Sequence, residues 1–444
     1  VTSSHTSPHL NLAFDDRRVI ADAGLLLAAE LAQRLGLREL IDQQVDLGQR
    51  PGGAHVGAKA MTLVASLLAG GDSIEEAGSL RMPGMATLLG HRVPAASTLG
   101  TFLRAFSYGH SQQLERVTEQ ALARAWRAGA PPAAGMTIDL DATICETYGL
   151  QKQGAQQVTY AKVRGYQPFL AVSADSGEVL HSRLRAGTAA PARGAGHFVG
   201  QTLRRVRRLG HQGPLVVRAD SGFYVAEVVA ACRRHDARFS ISVRQFEPLR
   251  RRIEAIPEAS WRPIGWPEGQ AEVAETRYVA FASRHGGRPR QPVVTRLIAR
   301  RVRAASPQLS LPGLDYRYHA FITDRPGDLI TVEADHRRHA VVENTIRQLK
   351  YDLGLNHLPS GRFAANAVWL TLNVLALNLC RWLDRLGLGD LRLTAKTLRR
   401  RLFSVPGRLV RSGRRQWLRL PRHWPFALQF LETWTRVQAL PLRT

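Results

Sequence analysis

Cysteine is scarce in this chain: three residues in 444, Cys145, Cys232 and Cys380, with no paired spacing. That excludes a disulfide framework and a thiolate zinc site, and leaves reduced thiols in a cytosolic protein as the expectation. Acid is also in short supply. Asp and Glu number 36 against 61 Lys and Arg, a formal charge of +25. Most of the excess is arginine, whose planar fork grips phosphate bidentately, so the expected partner is a polyanion: DNA, RNA or an anionic membrane surface. There is no internal repeat, no low-complexity block and no signal-peptide pattern in the polar start Val1-Thr-Ser-Ser-His-Thr-Ser. Ala364–Leu383 is apolar and long enough to raise the membrane question, but Asn366, Asn373, Asn378 and Arg381 interrupt it. Those groups are costly in lipid, so a buried core helix and no membrane are expected.

What is present is enough apolar sequence, 44%, for a full core and more than one domain. Residues 1–130 carry helical periodicity at Gly24–Leu35, Val56–Ala69, Ile74–Leu80 and Ser97–Phe106, with Ser97 or Thr98 as a cap for the last. This is expected to be a helical N-terminal DNA-binding domain. Short helices joined by turns suit either a groove reader with Arg104 facing DNA or an ordinary bundle. After the Gly129-Ala-Pro-Pro132 linker the period changes to two. Strands are expected at 135–144, 167–174, 178–186, 214–219 and 239–244, with helices at 195–209 and 224–236. Three strands on short connections followed by alternating helix and strand predict a mixed sheet flanked by helices, an α/β fold. Residues 245–335 break the rhythm with strand-like runs at Glu272–Ala282, Val294–Arg303 and Tyr316–Thr323, and read as a β-rich inserted subdomain. Its basic run Arg300-Arg-Val-Arg303 and its Trp261 and Trp266 offer DNA contacts, the tryptophans by stacking on an unpaired base or as the subdomain's own core. Helical periodicity returns near 336–352 and again at 362–386, and 336–390 reads as the second part of the core. The last 54 residues, Leu391–Thr444, hold 13 Lys or Arg and one acid, Glu432, interleaved with Trp417, Trp424 and Trp434. They read as a basic, DNA-facing region whose aromatics pack on the body.

Three carboxylates carry the chemistry. Asp141 ends the alternating run Gly135–Ile144, and Asp220 ends Pro214–Asp220 at a Ser-Gly exit. Glu343 lies within the helical stretch Ala340–Tyr351. Acids delivered by two strand ends and a helix can converge above a sheet and hold two Mg²⁺ or Mn²⁺ ions, which take hard oxygen ligands and clamp an in-line phosphoryl displacement. Asp139 shares a strand face with Asp141 and is the alternative ligand; Asp141 is preferred because it sits nearer the strand's C-terminal end. Asp220 could equally cap the next helix. His336, His339, Arg347 and Lys350 form a stripe with Glu343 that could face phosphate, with Arg337 and Arg338 beside it.

The segments Asp-Leu-Asp141-Ala-Thr, Arg-Ala-Asp220-Ser-Gly-Phe and Glu343-Asn-Thr-Ile-Arg-Gln-Leu-Lys350-Tyr-Asp resemble the DDE transposases of bacterial insertion sequences. The likeness is to the class whose catalytic Glu belongs to a Tyr–Arg–Glu–Lys signature, and it spans about residues 50–425. Gly354-Leu-Asn-His-Leu-Pro-Ser-Gly-Arg-Phe363 and Ala365-Asn-Ala-Val-Trp369 add to it. The resemblance implies a ribonuclease-H-like core with a β-rich insertion before the last catalytic helix. It also implies Asp141, Asp220 and Glu343 as metal ligands and Lys350 as a DNA-phosphate contact. At the family's Tyr and Arg positions stand His336 and His339, where Arg337 or Arg338 could substitute. The implied activity is cut-and-paste transposition: metal-dependent cleavage at terminal inverted repeats and strand transfer into target DNA, by a homodimer on DNA at the nucleoid. The rivals are a structure-selective nuclease on the same core and a catalytically silent repressor derived from a transposase.

Overall fold

The structure is a computed structural model, and it describes residues 13–158, 161–190, 192–267, 270–282, 292–303 and 316–442. A short strand β1 (Val19–Ile20) precedes six helices: α1 (Leu25–Arg34), α2 (Leu37–Gln44), α3 (Val56–Ala69), α4 (Met85–Leu89), α5 (Ala96–Ala105) and α6 (Tyr108–Arg127). Gly36 and Gly70 take left-handed backbone conformations at the α1–α2 joint and after α3, where a side chain would be strained. The stretch expected as a helix over 74–80 is a 3-10 segment, Glu75–Leu80. Neither Ser97 nor Thr98 caps α5, because the helix starts earlier, with Ala95 at the N-cap.

Beyond the linker, the chain forms β2 (Met136–Ala142), β3 (Cys145–Glu146), β4 (Gln156–Val158), β5 (Val163–Tyr166), β6 (Phe169–Ser173) and β7 (Val179–Arg183). Helix α7 (Ala195–Arg208), β8 (Leu215–Ala219), α8 (Ala226–Arg234) and β9 (Ala237–Val243) follow. The small strands β3, β5 and β4 make a separate three-stranded sheet. The others sit side by side in the order β7-β6-β2-β8-β9. Strands β2, β6 and β7 are antiparallel neighbours, while β8 and β9 add parallel to β2. Third-second-first-fourth-fifth, with that mix of directions, is the ribonuclease-H-like arrangement. The fold is therefore a mixed α/β sheet flanked by helices. On one face Phe198 of α7 stacks on His181 of β7, with ring centroids 4.3 Å apart, and packs against Phe169 of β6.

The stretch read as an inserted subdomain extends this sheet. Helix α9 (Glu247–Glu254) and strands β10 (Arg262–Ile264), β11 (Ala271–Ala280), β12 (Val293–Arg303) and β13 (Tyr316–Thr323) follow β9. Strand β13 pairs antiparallel with β9, Ala320 opposite Val243, giving one nine-stranded sheet, β10-β11-β12-β13-β9-β8-β2-β6-β7. The β-rich content was legible, but not its continuity with the core. Helices α10 (Leu329–Arg337), α11 (Val341–Arg347) and α12 (Phe363–Leu383) then return to the sheet.

Helix α12 is apolar because it is the buried axis of the fold. Its stretch Phe363–Leu388 is long and apolar enough to cross a membrane, yet 83% of that window is buried in protein. Two of its asparagines are satisfied internally. Asn378 bonds both the amide and the carbonyl of Val179, and the Asn366 amide donates to the Ser360 carbonyl and to the Tyr166 hydroxyl. Glu178, fully buried, accepts hydrogen bonds from Trp126 Nε1 of α6 and Trp382 Nε1 of α12 at 3.2 and 2.7 Å. The helical N-terminal part and the sheet thus share one hydrophobic core.

In the C-terminal region α13 (Ala395–Leu398) leads to a hairpin, β14 (Gly407–Ser412) and β15 (Arg415–Arg419), and to α14 (Ala427–Gln438). The hairpin pairs with β1 in a third sheet. Trp424 and Trp434 pack on the body, Trp424 Nε1 donating to the Arg401 carbonyl. Trp417 does not; half its surface is open.

Candidate active site

Asp141 and Asp220 leave the sheet at the same edge. Strands β2 and β8 are parallel neighbours, and their register sets Leu140 opposite Ala219. One more residue at that offset sets Asp141 against Asp220, on strands that lie roughly 4.8 Å apart. Glu343 comes from α11, which packs over the same sheet face. The three acids feel one another. Burial pushes the Asp141 carboxyl up to about 6, and the charges of Asp220 and Glu343 push the same way, while His339 opposes them. Asp141 is half-buried; Asp220 and Glu343 are exposed. The Ala142 amide donates to Asp141 at 2.6 Å. Asp220 accepts the Gly222 amide at 3.0 Å, so it caps the 3-10 turn Ser221–Phe223 and still presents its second oxygen. In a chain with 61 cationic side chains, none of the three enters an ion pair among the described residues. Carboxylates left without cations in so basic a protein suit a divalent ion as counter-charge. Among the described residues, no group of three or more His, Cys, Asp or Glu stands close enough together to hold a metal as placed.

Asp139, the alternative ligand, is committed elsewhere. It is 1% exposed, and Arg218 on β8 grips both its oxygens at 2.6 and 2.8 Å. His339 adds a third contact, Nδ1 to Oδ1 at 3.0 Å. Asp139 is thus paired with two cationic-type side chains inside the fold, whereas Asp141 has no ion-pair partner among the described residues.

The histidine stripe divides. His336 does not face phosphate: its ring stacks on Phe321 at 3.9 Å, and its nitrogens meet the Ser240 and Ser242 hydroxyls at 2.8 and 3.0 Å. Burial holds it well below the usual histidine range, hence neutral. The cause is the sheet extension, since Ser240, Ser242 and Phe321 belong to β9 and β13. His339 sits between Asp139 and the acid edge. Past Arg347 the helix widens into a π-helical turn, Gln348–Asp352. That turn alters the phase expected for Lys350, whose Nζ donates to the Ile144 carbonyl at 2.8 Å, three residues beyond Asp141. Arg347 and Arg338 are exposed.

Trp266 is half-covered, with Arg300 and Arg337 over its ring at 4.6 and 5.4 Å from the centroid, and Trp261 is buried beneath Arg301. Trp261 is therefore closed to base stacking, while Trp266 keeps part of its surface open in a pocket with His319 and His336. Arg104 is exposed and lines a groove with Arg50 and Arg362. The Arg218–Asp139–His339 network was not visible in sequence. Nor was Arg244, exposed at the end of β9, whose Nε donates to the Ser221 hydroxyl beside Asp220. Its signal is position alone, at the end of the strand parallel to β8.

Among solved structures, the chain is similar to one described as "Cryo-EM structure of piggyBac transposase synaptic complex with hairpin DNA". The identity is 11% and the TM-score 0.43, over 86% of this chain and 80% of that one. No curated protein matches. A family model described as "Transposase DDE domain group 1" matches residues 2–442. With nearly its whole length matched, the chain belongs to that DDE transposase family.

Proposed function

We propose that this transposase cuts and joins DNA at terminal inverted repeats of an insertion sequence, with Asp141, Asp220 and Glu343 as its catalytic acids. The observation that carries the reading is that Asp141 and Asp220 lie at register-matched strand ends and that the charges of Asp220 and Glu343 both raise the Asp141 carboxyl, with none of the three in an ion pair among the described residues. They would hold two Mg²⁺ or Mn²⁺ ions, the exposed Asp220 and Glu343 side chains turning in beside the less mobile Asp141. Metal held by these acids would supply activation of water or a 3′ hydroxyl and charge stabilisation at the scissile phosphate.

The chain's own residues do the positioning. Lys350 spends one of its three donors on Ile144 and has two left for a phosphate oxygen next to the acids. Arg347, Arg338 and Arg244 are exposed, Arg244 beside Asp220, and would hold the backbone on either side of the cut. Asp139 fixes His339 through Nδ1, leaving Nε2 as the edge that could meet DNA. Arg104, on the exposed face of α5 with Ser97, Thr98 and Thr101, is a further DNA contact. The Glu343–Lys350 pair is the part of the Tyr–Arg–Glu–Lys signature that the chain retains. Two ends must meet for joining, which calls for a homodimer on DNA.

The test is incubation of the protein with its flanking genomic DNA and Mg²⁺, mapping cleavage and joining at nucleotide resolution. Cleavage at an inverted repeat followed by joining supports the reading. Cleavage that never leads to joined product favours a nuclease, and binding without cleavage favours a repressor.

A further inference from the structure

The β14–β15 hairpin carries a surface that the acid site does not use. Its strands join through Gly413 and Arg414, with Gly413 in the left-handed region at φ 61°. Antiparallel register sorts the side chains. Leu409, Leu418 and Leu420 belong to the inner side and pack on the body. Gly407 at the base fits so tightly that a Cβ there would come within 2.7 Å of the Ala23 Cβ. The hairpin is therefore seated firmly on the protein.

The outer face is a set of cross-strand pairs: Arg408 opposite Arg419, Val410 opposite Trp417, and Ser412 opposite Arg415. Arg411 and Arg414 stand exposed towards the tip. Like charges directly opposite each other destabilise a sheet. Only Arg408 has a counter-charge, Asp16; among the described residues Arg411, Arg414, Arg415 and Arg419 have no ion-pair partner. Residues 407–422 contain no acid. Trp417, half exposed, stands amid this charge opposite Val410. Fixed arginines around an open aromatic, at a cost in self-repulsion, fit a polyanion with apolar faces better than they fit water.

We propose that this ribbon is a second DNA-binding element, separate from the acid site, that lies in the major groove of duplex DNA. The inference rests on the DNA reading above. A two-stranded ribbon matches the major groove, about 12 Å wide, in which its arginines meet phosphates and base edges while Trp417 packs on sugars or base edges. The deep, narrow major groove of duplex RNA would not admit it.

The test uses the full chain and a mixed-sequence DNA duplex of about 30 base pairs, roughly three helical turns. The variant R411A/R414A/R415A/R419A is compared with wild type by fluorescence anisotropy across salt concentrations, after circular dichroism and thermal melting show an unaltered fold. The expected result is at least about a tenfold loss of affinity near physiological salt, with a salt slope shallower by up to about 4. Replacing the same four arginines by lysine should keep the slope. Trp417→Ala should weaken binding without changing the slope. Unchanged affinity and slope in the folded alanine variant overturns the proposal, and so does an equal ribbon-dependent affinity for duplex RNA. Mg²⁺-dependent nicking by the same preparations separates the two readings. Wild type that nicks DNA while the ribbon variant binds normally removes the ribbon alone; wild type that neither binds nor nicks removes both.

Discussion

Arg218 holds Asp139 by two parallel hydrogen bonds, Nε to Oδ1 at 2.6 Å and Nη2 to Oδ2 at 2.8 Å, with both side chains 1% exposed. The pair joins neighbouring positions on β2 and β8, two residues inside the edge where Asp141 and Asp220 emerge. Two acids on the same strand face thus have opposite duties: Asp139 neutralises a buried cation, and Asp141 is left without one.

The first prediction follows from that division. Asp139→Asn leaves the buried Arg218 guanidinium with Asp335, 3.5 Å away, as its one remaining counter-charge among the described residues, which should cost at most about 3–5 kcal/mol of stability. Urea denaturation measures it. A change within about 0.5 kcal/mol would mean that the pair does not carry the buried charge.

The second concerns Asp141 and pH. Its folded carboxyl is raised to about 6 from an ordinary 3.8, so the folded state binds its proton more tightly than the unfolded chain. The stability it contributes is fully present below about pH 3.8 and is lost as pH rises through about 6. The loss amounts to at most roughly 3 kcal/mol, since the group is partly solvated. Without metal, Asp141→Asn should therefore melt higher than wild type at pH 7 and close to it near pH 4. Mg²⁺ should raise the wild-type melting temperature and narrow the gap. A gap that does not change with pH contradicts the acid cluster.

The third concerns His336. Burial keeps its folded-state affinity for protons low, so its contribution to stability is present above about pH 6.5 and lost as pH falls below that value. His336→Ala should lose roughly 2 kcal/mol or more, through the vacated stack on Phe321 and two unpartnered serines. It should leave the salt slope of DNA binding unchanged. A shallower slope, measured by anisotropy, would return His336 to the DNA face.

Much of this was legible in the sequence because its signals are local. Alternation over 135–144 and 214–219 fixed which residues leave the strands at Asp141 and Asp220, and the Ser-Gly exit marked the turn. Helical spacing set Glu343 and Lys350 on one expected stripe, but the π-helical turn after Arg347 shifts Lys350 in a way spacing does not encode. What stayed hidden depends on partners far along the chain. Asp139 meets Arg218 79 residues later, and His336 meets Ser240 and Ser242 96 and 94 residues earlier. The pairing of β13 with β9 brings those serines under His336 and makes one sheet of two expected units. For Trp266 the sequence left stacking and core open, because nothing local shows that Arg300 and Arg337 lie over its ring.

The fourth prediction isolates Lys350. Lys350→Ala removes a phosphate donor beside the acids while distributed arginines keep the DNA bound, so Mg²⁺-dependent cleavage should fall by about tenfold or more with affinity nearly unchanged. Lys350→Arg should restore part of the rate. Equal losses of binding and cleavage would place Lys350 in the general grip on DNA.

The most direct test of the acid assignment is nicking of a supercoiled plasmid carrying the element end, with Mg²⁺. Wild type would be compared with Asp141→Asn, Asp220→Asn, Glu343→Gln and Asp139→Asn, each first checked for folding and for binding to the end DNA. The account predicts no nicking by the first three despite near-normal binding, and residual nicking by whatever fraction of Asp139→Asn remains folded. Active Asp141→Asn alongside a folded, DNA-bound but inert Asp139→Asn would contradict it, and would make Asp139 the acid that matters.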